Sequence, residues 1–146
     1  MARVIRPRSE LFLDTSYAIA LAAPTDQFHP LAVELSLEIE RAAAHLITTR
    51  GVMMEFGNSL ARLRYRAVAI ELLAALETDP TVTILPLTDD LYARGYQLYA
   101  SRPDKEWGLI DCISFVVMTD RGLTEALTAD DHFTQAGFVA LLRDAA

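Results

Sequence analysis

The stretch Leu11-Phe12-Leu13-Asp14-Thr15-Ser16 places three apolar residues directly before an acid and two hydroxyl residues. A short apolar run of this kind predicts a buried parallel strand, and the polar residues after it predict the start of a helix. Open α/β sheets bind ligands outside the carboxyl ends of their strands. Asp14 is therefore a candidate functional acid. The alternative is that Asp14, Thr15 and Ser16 only cap the helix that follows.

Length and composition predict one cytoplasmic domain over residues 1–146. The chain has 146 residues, of which 52% are hydrophobic, and this is enough to bury a single core without disordered segments. The acid at position 14 makes the apolar segment 11–23 a poor signal peptide, and the segment is too short to span a bilayer. The single Cys112 cannot form an internal disulfide, so we expect it in the core.

The formal net charge of −7 limits the classes of function. Proteins that bind nucleic acid mainly through its phosphates are normally basic, so the charge argues against a passive nucleic-acid binder. It does not argue against a metal-dependent enzyme, in which acids gathered at one site are balanced by bound cations.

A predicted helix that begins near Arg50 carries the second candidate acid, Glu55. Its buried stripe is predicted to contain Met53, Phe56, Leu60 and Leu63, and Met54 is also expected to fill the core. Positions 55, 59, 62 and 66 fall on one line of this helix, so Glu55 is expected to share a face with Arg62 and Arg66. The alternative is an exposed glutamate on a solvated face.

The other two candidate acids are Asp111 and Asp130. The segment 109–118 is apolar on nearly every side, which predicts a central buried helix that contains Asp111 and, one turn on, Ser114. A buried carboxylate needs a cation or a strong donor beside it, although Asp111 could instead interact only with the helix dipole and free N–H groups. Asp130 follows a predicted strand at 125–128. Other strands are predicted at 45–49 and 82–87, with an edge strand in 136–142.

Four acids without a histidine or cysteine cluster predict a site for a hard cation, since oxygen ligands select Mg²⁺ or Mn²⁺. His29 and His45 match no metal-ligand pattern. Mg²⁺ is commonly shared with phosphate oxygens, which indicates phosphoryl chemistry. The sequence contains no P-loop and no glycine-rich fingerprint, so use of a nucleoside triphosphate is not expected.

Four segments resemble the acidic motifs of the PIN domain family, and more narrowly its VapC-type toxin branch. They are residues 14–16, 54–58, 107–115 and 127–133. Each motif alone is a weak signal, but the order and spacing of all four make the resemblance specific, and it spans nearly the whole chain. The resemblance implies a three-layer α/β/α fold with a parallel sheet of about five strands. It also implies a metal-dependent endoribonuclease site at the strand ends, where water activated by Mg²⁺ or Mn²⁺ hydrolyses RNA.

The resemblance implies roles for individual residues. Metal ligation and catalysis fall to Asp14, Glu55, Asp111 and Asp130. Hydroxyl groups that would support these ligands belong to Ser16 and Ser114, and further acids that could contribute to the site are Asp104 and Asp131. The basic side chains expected to contact the RNA backbone are Arg62, Arg64, Arg66, Arg102 and Lys105, since cations bind phosphate and Arg does so in bidentate fashion. Trp107 is expected in the core, with base stacking as the alternative.

The implied partners are an RNA substrate, a cognate antitoxin protein and a second copy of the chain in a homodimer, with no membrane. Two other functions stay open at this point. A haloacid-dehalogenase-like phosphatase also has an acid after its first strand, but it needs a second acid where this chain has Ser16. A catalytically inactive PIN-like binding module would usually lack one of the four acids.

Overall fold

The computed structural model describes residues 5–143, so the first four and last three residues of the predicted 1–146 domain lie outside the description. None of the helices in the described part is both long and apolar enough to cross a membrane. Its elements are β1 (Glu10–Leu13), α1 (Thr15–Ala22), α2 (His29–Ala42), β2 (His45–Thr49), α3 (Arg50–Ser59), α4 (Leu63–Thr78), β3 (Val82–Leu85), α5 (Asp89–Ser101), α6 (Leu109–Arg121), β4 (Glu125–Leu127), α7 (Asp131–Gln135) and β5 (Val139–Ala140).

The five strands form one parallel sheet in the order β3-β2-β1-β4-β5. β1 is central, and its Leu11 and Phe12 are fully buried, as expected for a strand covered by helices on both faces. The predicted three-layer α/β/α fold is confirmed. The chain turns to one side of β1 for β2 and to the other for β4, so the carboxyl end of β1 is a topological switch point, where such sheets bind ligands.

The buried helix α6 is held by an unusually close approach of α5. A Cβ atom added at Gly95 would lie 2.4 Å from Cγ1 of Ile113 and 3.2 Å from its Cα atom, so only glycine permits this packing. Six residues of α6 are buried, among them Cys112, whose predicted place in the core is confirmed. The contact fixes the helix that carries Asp111.

The single helix predicted through residues 50–66 is wrong, because the chain breaks between α3 and α4. Gly57, Asn58 and Ser59 are weak helix formers, and the hydroxyl of Ser59 donates to the carbonyl of Glu55 at 2.8 Å. The break leaves Leu63 90% exposed, so its predicted place in the buried stripe is also wrong. The buried members of that stripe are Met53, Phe56 and Leu60.

Met54 is 63% exposed, which contradicts its expected role in the core. Neighbouring residues on a helix point in different directions, and α3 turns Met53 inward, with 7% exposure. Burial of Met53 therefore places Met54 on the outer side of the same helix.

Candidate metal centre

Four different elements bring the candidate acids to one edge of the sheet. Asp14 directly follows β1, Asp130 lies three residues after β4, and Asp111 is in the first turn of α6. Glu55 is on α3, which begins immediately after β2. Because the carboxyl ends of parallel strands share one edge, the order of elements places Asp14, Glu55 and Asp130 at the switch point beside β1. Asp111 is at the same edge, since its carboxylate lies 3.0 Å from the imidazole of His132 in α7.

Asp14 is buried, with 4% of its surface exposed. It occupies the N-cap position of α1 but makes no capping hydrogen bond with its side chain. Its Oδ2 atom instead accepts hydrogen bonds from the hydroxyl of Thr128 at 2.7 Å and from that of Ser16 at 3.1 Å. The carboxylate of Asp14 therefore does not cap α1, which was the alternative interpretation of the sequence.

Backbone groups orient the two hydroxyls that hold Asp14. The hydroxyl oxygen of Thr128 accepts the N–H of Asp130 at 3.0 Å, and that of Ser16 accepts the N–H of Ala129 at 2.8 Å. The two hydroxyl oxygens also lie 3.0 Å apart. Since a hydroxyl has one hydrogen to donate, these backbone contacts leave the hydrogens available to Asp14. The loop after β4 therefore positions the acid after β1.

Glu55 is held by the first residue of α1. The hydroxyl of Thr15 donates to its Oε1 atom at 2.5 Å. The expected common face of Glu55 with Arg62 and Arg66 is wrong, because α3 ends at Ser59 and Arg62 lies after the break, at the N-cap of α4. Glu55 is therefore connected to the sheet edge through α1.

Asp111, Asp130 and His132 form a second group of potential ligands. Nδ1 of His132 lies 3.0 Å from Oδ2 of Asp111 and 3.3 Å from Oδ1 of Asp130. One ligand atom from each residue can be chosen so that all three lie within 4.8 Å of one another. The sequence interpretation considered carboxylates alone and did not include His132, whose imidazole lies among these potential ligands. The sequence did contain a signal for His132. An aspartate at an N-cap commonly accepts a backbone N–H from the first helical turn, and the carboxylate of Asp130 accepts that of His132 at 2.9 Å.

Asp111 also accepts a hydrogen bond from the backbone N–H of Gly108 at 3.1 Å. The sequence offered two interpretations of this acid, a functional group with a donor beside it and a group that interacts only with free N–H groups of the helix. Asp111 contacts both the imidazole of His132 and the N–H of Gly108, so it does not interact with helix N–H groups alone.

The acids of the site affect one another's ionisation. The pKa of Asp14 is raised to about 6, mainly by burial and further by the charges of Asp111 and Glu55, while the hydrogen bond from Thr128 opposes the shift. Burial also raises the pKa of Asp111, although the hydrogen bond from His132 opposes the shift. A bound cation would favour the ionised form of each carboxylate.

The pKa of His132 is raised overall. Burial lowers it, but the hydrogen bond to Asp111 and the negative charges of Asp130 and Asp111 raise it by more. The imidazole therefore gains proton affinity from the same carboxylates that would bind a cation.

The structure does not bring every predicted residue into this network. Ser114 is buried, and its hydroxyl donates to the carbonyl of Ile110 at 2.9 Å. Asp104 is exposed and pairs with Arg102 at 3.0 Å, and this hydrogen bond lowers the pKa of the acid. Asp131 is an exposed residue at the start of α7.

The predicted RNA-contacting residues differ in their surroundings. Lys105 lies 3.9 Å from Asp104, and its ammonium is 6.0 Å from the centre of the Trp107 ring. Trp107 is 6% exposed and donates to Gln135 at 3.0 Å, so its expected place in the core is confirmed. Three exposed residues cluster at the start of α4: Arg62, Arg64 and Arg66.

Comparison with known proteins identifies a protein family for this chain. The PIN domain model matches residues 11–139. The 23S rRNA-specific endonuclease VapC20 of Mycobacterium tuberculosis is 28% identical over 129 residues, which are 88% of this chain and 95% of the relative.

Two solved structures are similar to the fold. The crystal structure of M. tuberculosis VapC20, described as a sarcin-ricin loop cleaving toxin, has a TM-score of 0.78 and 27% identity, and the match covers 88% of this chain and 96% of that one. FitAcB from Neisseria gonorrhoeae has a TM-score of 0.59 and 24% identity, with 89% and 94% covered, and this likeness concerns the fold alone.

Proposed function

The chain belongs to the PIN domain family, and from this premise we propose that it is a divalent-cation-dependent endoribonuclease and the toxin of a VapC-type toxin–antitoxin pair. The observation that carries the proposal is the convergence of four acids at the switch point, with Asp14 buried there and its pKa raised. Membership of the PIN family separates the chain from the haloacid-dehalogenase-like phosphatases, and the four acids argue against an inactive binding module.

The donor set fits a hard divalent cation. Asp14, Glu55, Asp111 and Asp130 would hold it, and oxygen-rich ligation favours Mg²⁺ or Mn²⁺. The proximity of ligand atoms from Asp111, Asp130 and His132 supports this assignment. When bound, the cation would act as a Lewis acid toward the scissile phosphate and lower the pKa of water.

The protein's own part is to orient the acids. Thr128 and Ser16 direct their hydroxyl hydrogens at Asp14, and Thr15 holds Glu55. His132 lies between two further acids and limits how far their carboxylates can rotate before a cation binds. These contacts reduce the reorganisation needed to form the reactive site.

The arginines at the start of α4 are proposed to bind RNA phosphates. Arg62 and Arg66 are exposed, and no ion pair involves either of them within residues 5–143. They follow directly after α3, which carries Glu55. Lys105 is proposed as a further contact, although Asp104 competes for its charge. In a chain with a net charge of −7, such local cations are needed to bring a polyanion to the acids.

The antitoxin is proposed to occupy an apolar groove of about 190 Å³ among α1, α2 and α4. Leu13, Tyr17, Ile39 and Leu72 contribute to its lining. The groove extends from Leu13, the residue before Asp14, to Leu46 and Val82 near the starts of β2 and β3. A segment seated there could place a basic side chain among the acids, and the negative charge of the toxin would favour its approach.

A homodimer is proposed to cover a second apolar face. Three tyrosines spaced four and three residues apart on α5 are about half exposed: Tyr92, Tyr96 and Tyr99. Met54 is 63% exposed and lines a surface cavity together with Tyr92. Large exposed apolar side chains of this kind often mark an interface, and a twofold dimer is the commonest arrangement.

The proposed activity is tested with the purified protein, total ribosomal RNA and a synthetic sarcin–ricin loop hairpin. The similarity to VapC20 makes ribosomal RNA loops the substrate class that we propose to examine first. Cleavage should require Mg²⁺ or Mn²⁺ and should be lost in Asp14→Asn but retained in Asp104→Asn, which removes an exposed acid paired with Arg102. Cleavage that survives chelation, or that needs Asp104 as much as Asp14, would contradict the proposal.

The toxin assignment has a separate test, which is to express the protein with the product of the adjacent open reading frame. The two should purify together, and the complex should cleave RNA more slowly than the free protein. A neighbour that binds without inhibition, or does not bind, would leave the nuclease proposal standing and remove the antitoxin.

A further inference from the structure

Arg143 lies at the carboxyl edge of the sheet, because backbone pairing with β4 continues beyond β5. The N–H of Leu141 donates to the carbonyl of Ala126 at 2.9 Å, and the N–H of Leu142 donates to that of Thr128 at 3.0 Å. The chain therefore follows β4 to the carboxyl edge of the sheet. Arg143 is the next residue, so the topology places it at the edge where the acids converge.

The surroundings of Arg143 hold its position. Leu141 and Leu142 are 0% and 3% exposed, and the N–H of Arg143 donates to the carbonyl of Ala140 at 2.9 Å. Its side chain is exposed, but Nη1 donates to the carbonyl of Ala129 at 3.3 Å. Ala129 lies between Thr128, which orients Asp14, and the ligand candidate at position 130. The guanidinium therefore lies beside the loop that builds the site.

Arg143 also differs from many arginines of this chain in its charge environment. No carboxylate of residues 5–143 forms an ion pair with it, whereas carboxylate partners are present for Arg41, Arg50, Arg94 and Arg102. A guanidinium carries five N–H donors, and the contact with Ala129 uses one of them. The remaining donors can form a bidentate contact with a phosphate.

We propose that Arg143 is a substrate-binding residue that contacts a backbone phosphate of the RNA next to the scissile one. The inference rests on the proposed endoribonuclease function and deepens it, since it assigns a cation beside acids that would otherwise repel the RNA. A purely structural Arg143 would only tie the chain after β5 to the loop after β4. If Arg143 binds substrate, removal of its charge should change RNA binding. If its role is only structural, removal of the charge should change stability alone.

The test compares Arg143→Gln and Arg143→Lys with the control Arg121→Gln. Arg121 is exposed in the last turn of α6, where it shares a surface cavity with Glu10 at the amino edge of the sheet. With the hairpin RNA and Mn²⁺, Arg143→Gln should raise KM by about tenfold with kcat changed by less than about twofold. It should also lower the slope of log(kcat/KM) against log[salt] by about one, as expected for one lost phosphate contact.

Arg143→Lys should keep most of the salt slope, because it keeps the charge, but only part of the affinity, because it lacks the planar fork. Arg121→Gln should leave both quantities near wild type. Equal effects of Arg143→Gln and Arg121→Gln would overturn the inference, as would a lower melting temperature of Arg143→Gln with unchanged KM and salt slope. If the wild type cleaves no RNA, the proposed function fails first. If it cleaves and the two Gln variants match, only the role of Arg143 fails.

Discussion

Replacement of Asp14 by Asn should remove activity and make the cation-free protein more stable. The carboxylate is 4% exposed, and burial together with neighbouring acids raises its pKa from 3.8 to about 6. Because the folded-state pKa lies above the unfolded one, the protein is more stable when Asp14 is protonated. That stability is fully present below pH 3.8 and is lost as the pH rises through about 6.

The size of the effect follows from the pKa difference. At pH 7 the ionised form costs about 3 kcal/mol, since one pKa unit corresponds to about 1.4 kcal/mol. Asn avoids the charge and still accepts from Thr128, but it forms a weaker hydrogen bond than a carboxylate does. We therefore expect a net gain of about 1–2 kcal/mol, or about 3–6 °C in Tm for a chain of this length.

Thermal melts in a chelator at several pH values measure this gain. At pH 7.5, Asp14→Asn should melt above wild type, and the difference should shrink as the pH falls from 6 toward 4. Asp104→Asn is the control, because that exposed acid is paired with Arg102 and should give no gain. If Asp14→Asn melts well below wild type at pH 7.5, Asp14 is a structural residue and the argument from clustered charge is refuted.

Three further substitutions test the surroundings of the site. Thr128→Val removes the 2.7 Å hydrogen bond to Asp14 and should lower stability by about 2 kcal/mol and reduce cleavage, as measured by denaturant unfolding and initial rates. His132→Asn should weaken Mn²⁺ binding by about tenfold in calorimetry, because a group that orients two potential ligands is lost. Gly95→Ala places a Cβ against Ile113 and should lower the free energy of unfolding by about 1–3 kcal/mol.

For each of these variants, one result would contradict the prediction. Gly57→Ala is the control for Gly95→Ala, since the added Cβ would lie at an ordinary 3.8 Å from its nearest atom. If both variants lose the same free energy of unfolding, the explanation by close helix packing fails. Unchanged Mn²⁺ affinity in His132→Asn would exclude the imidazole from the cation site. A Thr128→Val protein with wild-type stability and rate would mean that its hydroxyl does not position Asp14.

The sequence predicted those features that depend on local pattern. The apolar run before Asp14 and the strand before Asp130 identified central parallel strands, and the apolar segment around Asp111 identified the buried helix. The strand predictions follow from the fact that a parallel sheet buries both of its faces, and the helix prediction follows from an apolar pattern on nearly every side of the segment. The sequence therefore predicted that the acids at the strand ends share one edge of the sheet.

Features that depend on small local free energies or on tertiary contacts were missed. The helix break before Leu63 depends on helix propensities that are about 0.5–1 kcal/mol per residue less favourable than that of Ala at Gly57, Asn58 and Ser59, and a hydrophobic pattern does not register them. His132 contacts Asp111 across 21 residues, and Thr128 contacts Asp14 across 114. A local pattern contains no information about such pairs, because the folded sheet creates them.

The products of cleavage test the central claim most directly. Mass spectrometry of the hairpin RNA after incubation with Mn²⁺ should find linear phosphate and hydroxyl ends, because water is the proposed nucleophile and the 2′-hydroxyl takes no part. The same ends should be absent with the chelator and with Asp14→Asn, and present with Asp104→Asn. Fragments that carry a 2′,3′-cyclic phosphate, or fragments that form in the chelator, would contradict water-dependent hydrolysis at the clustered acids.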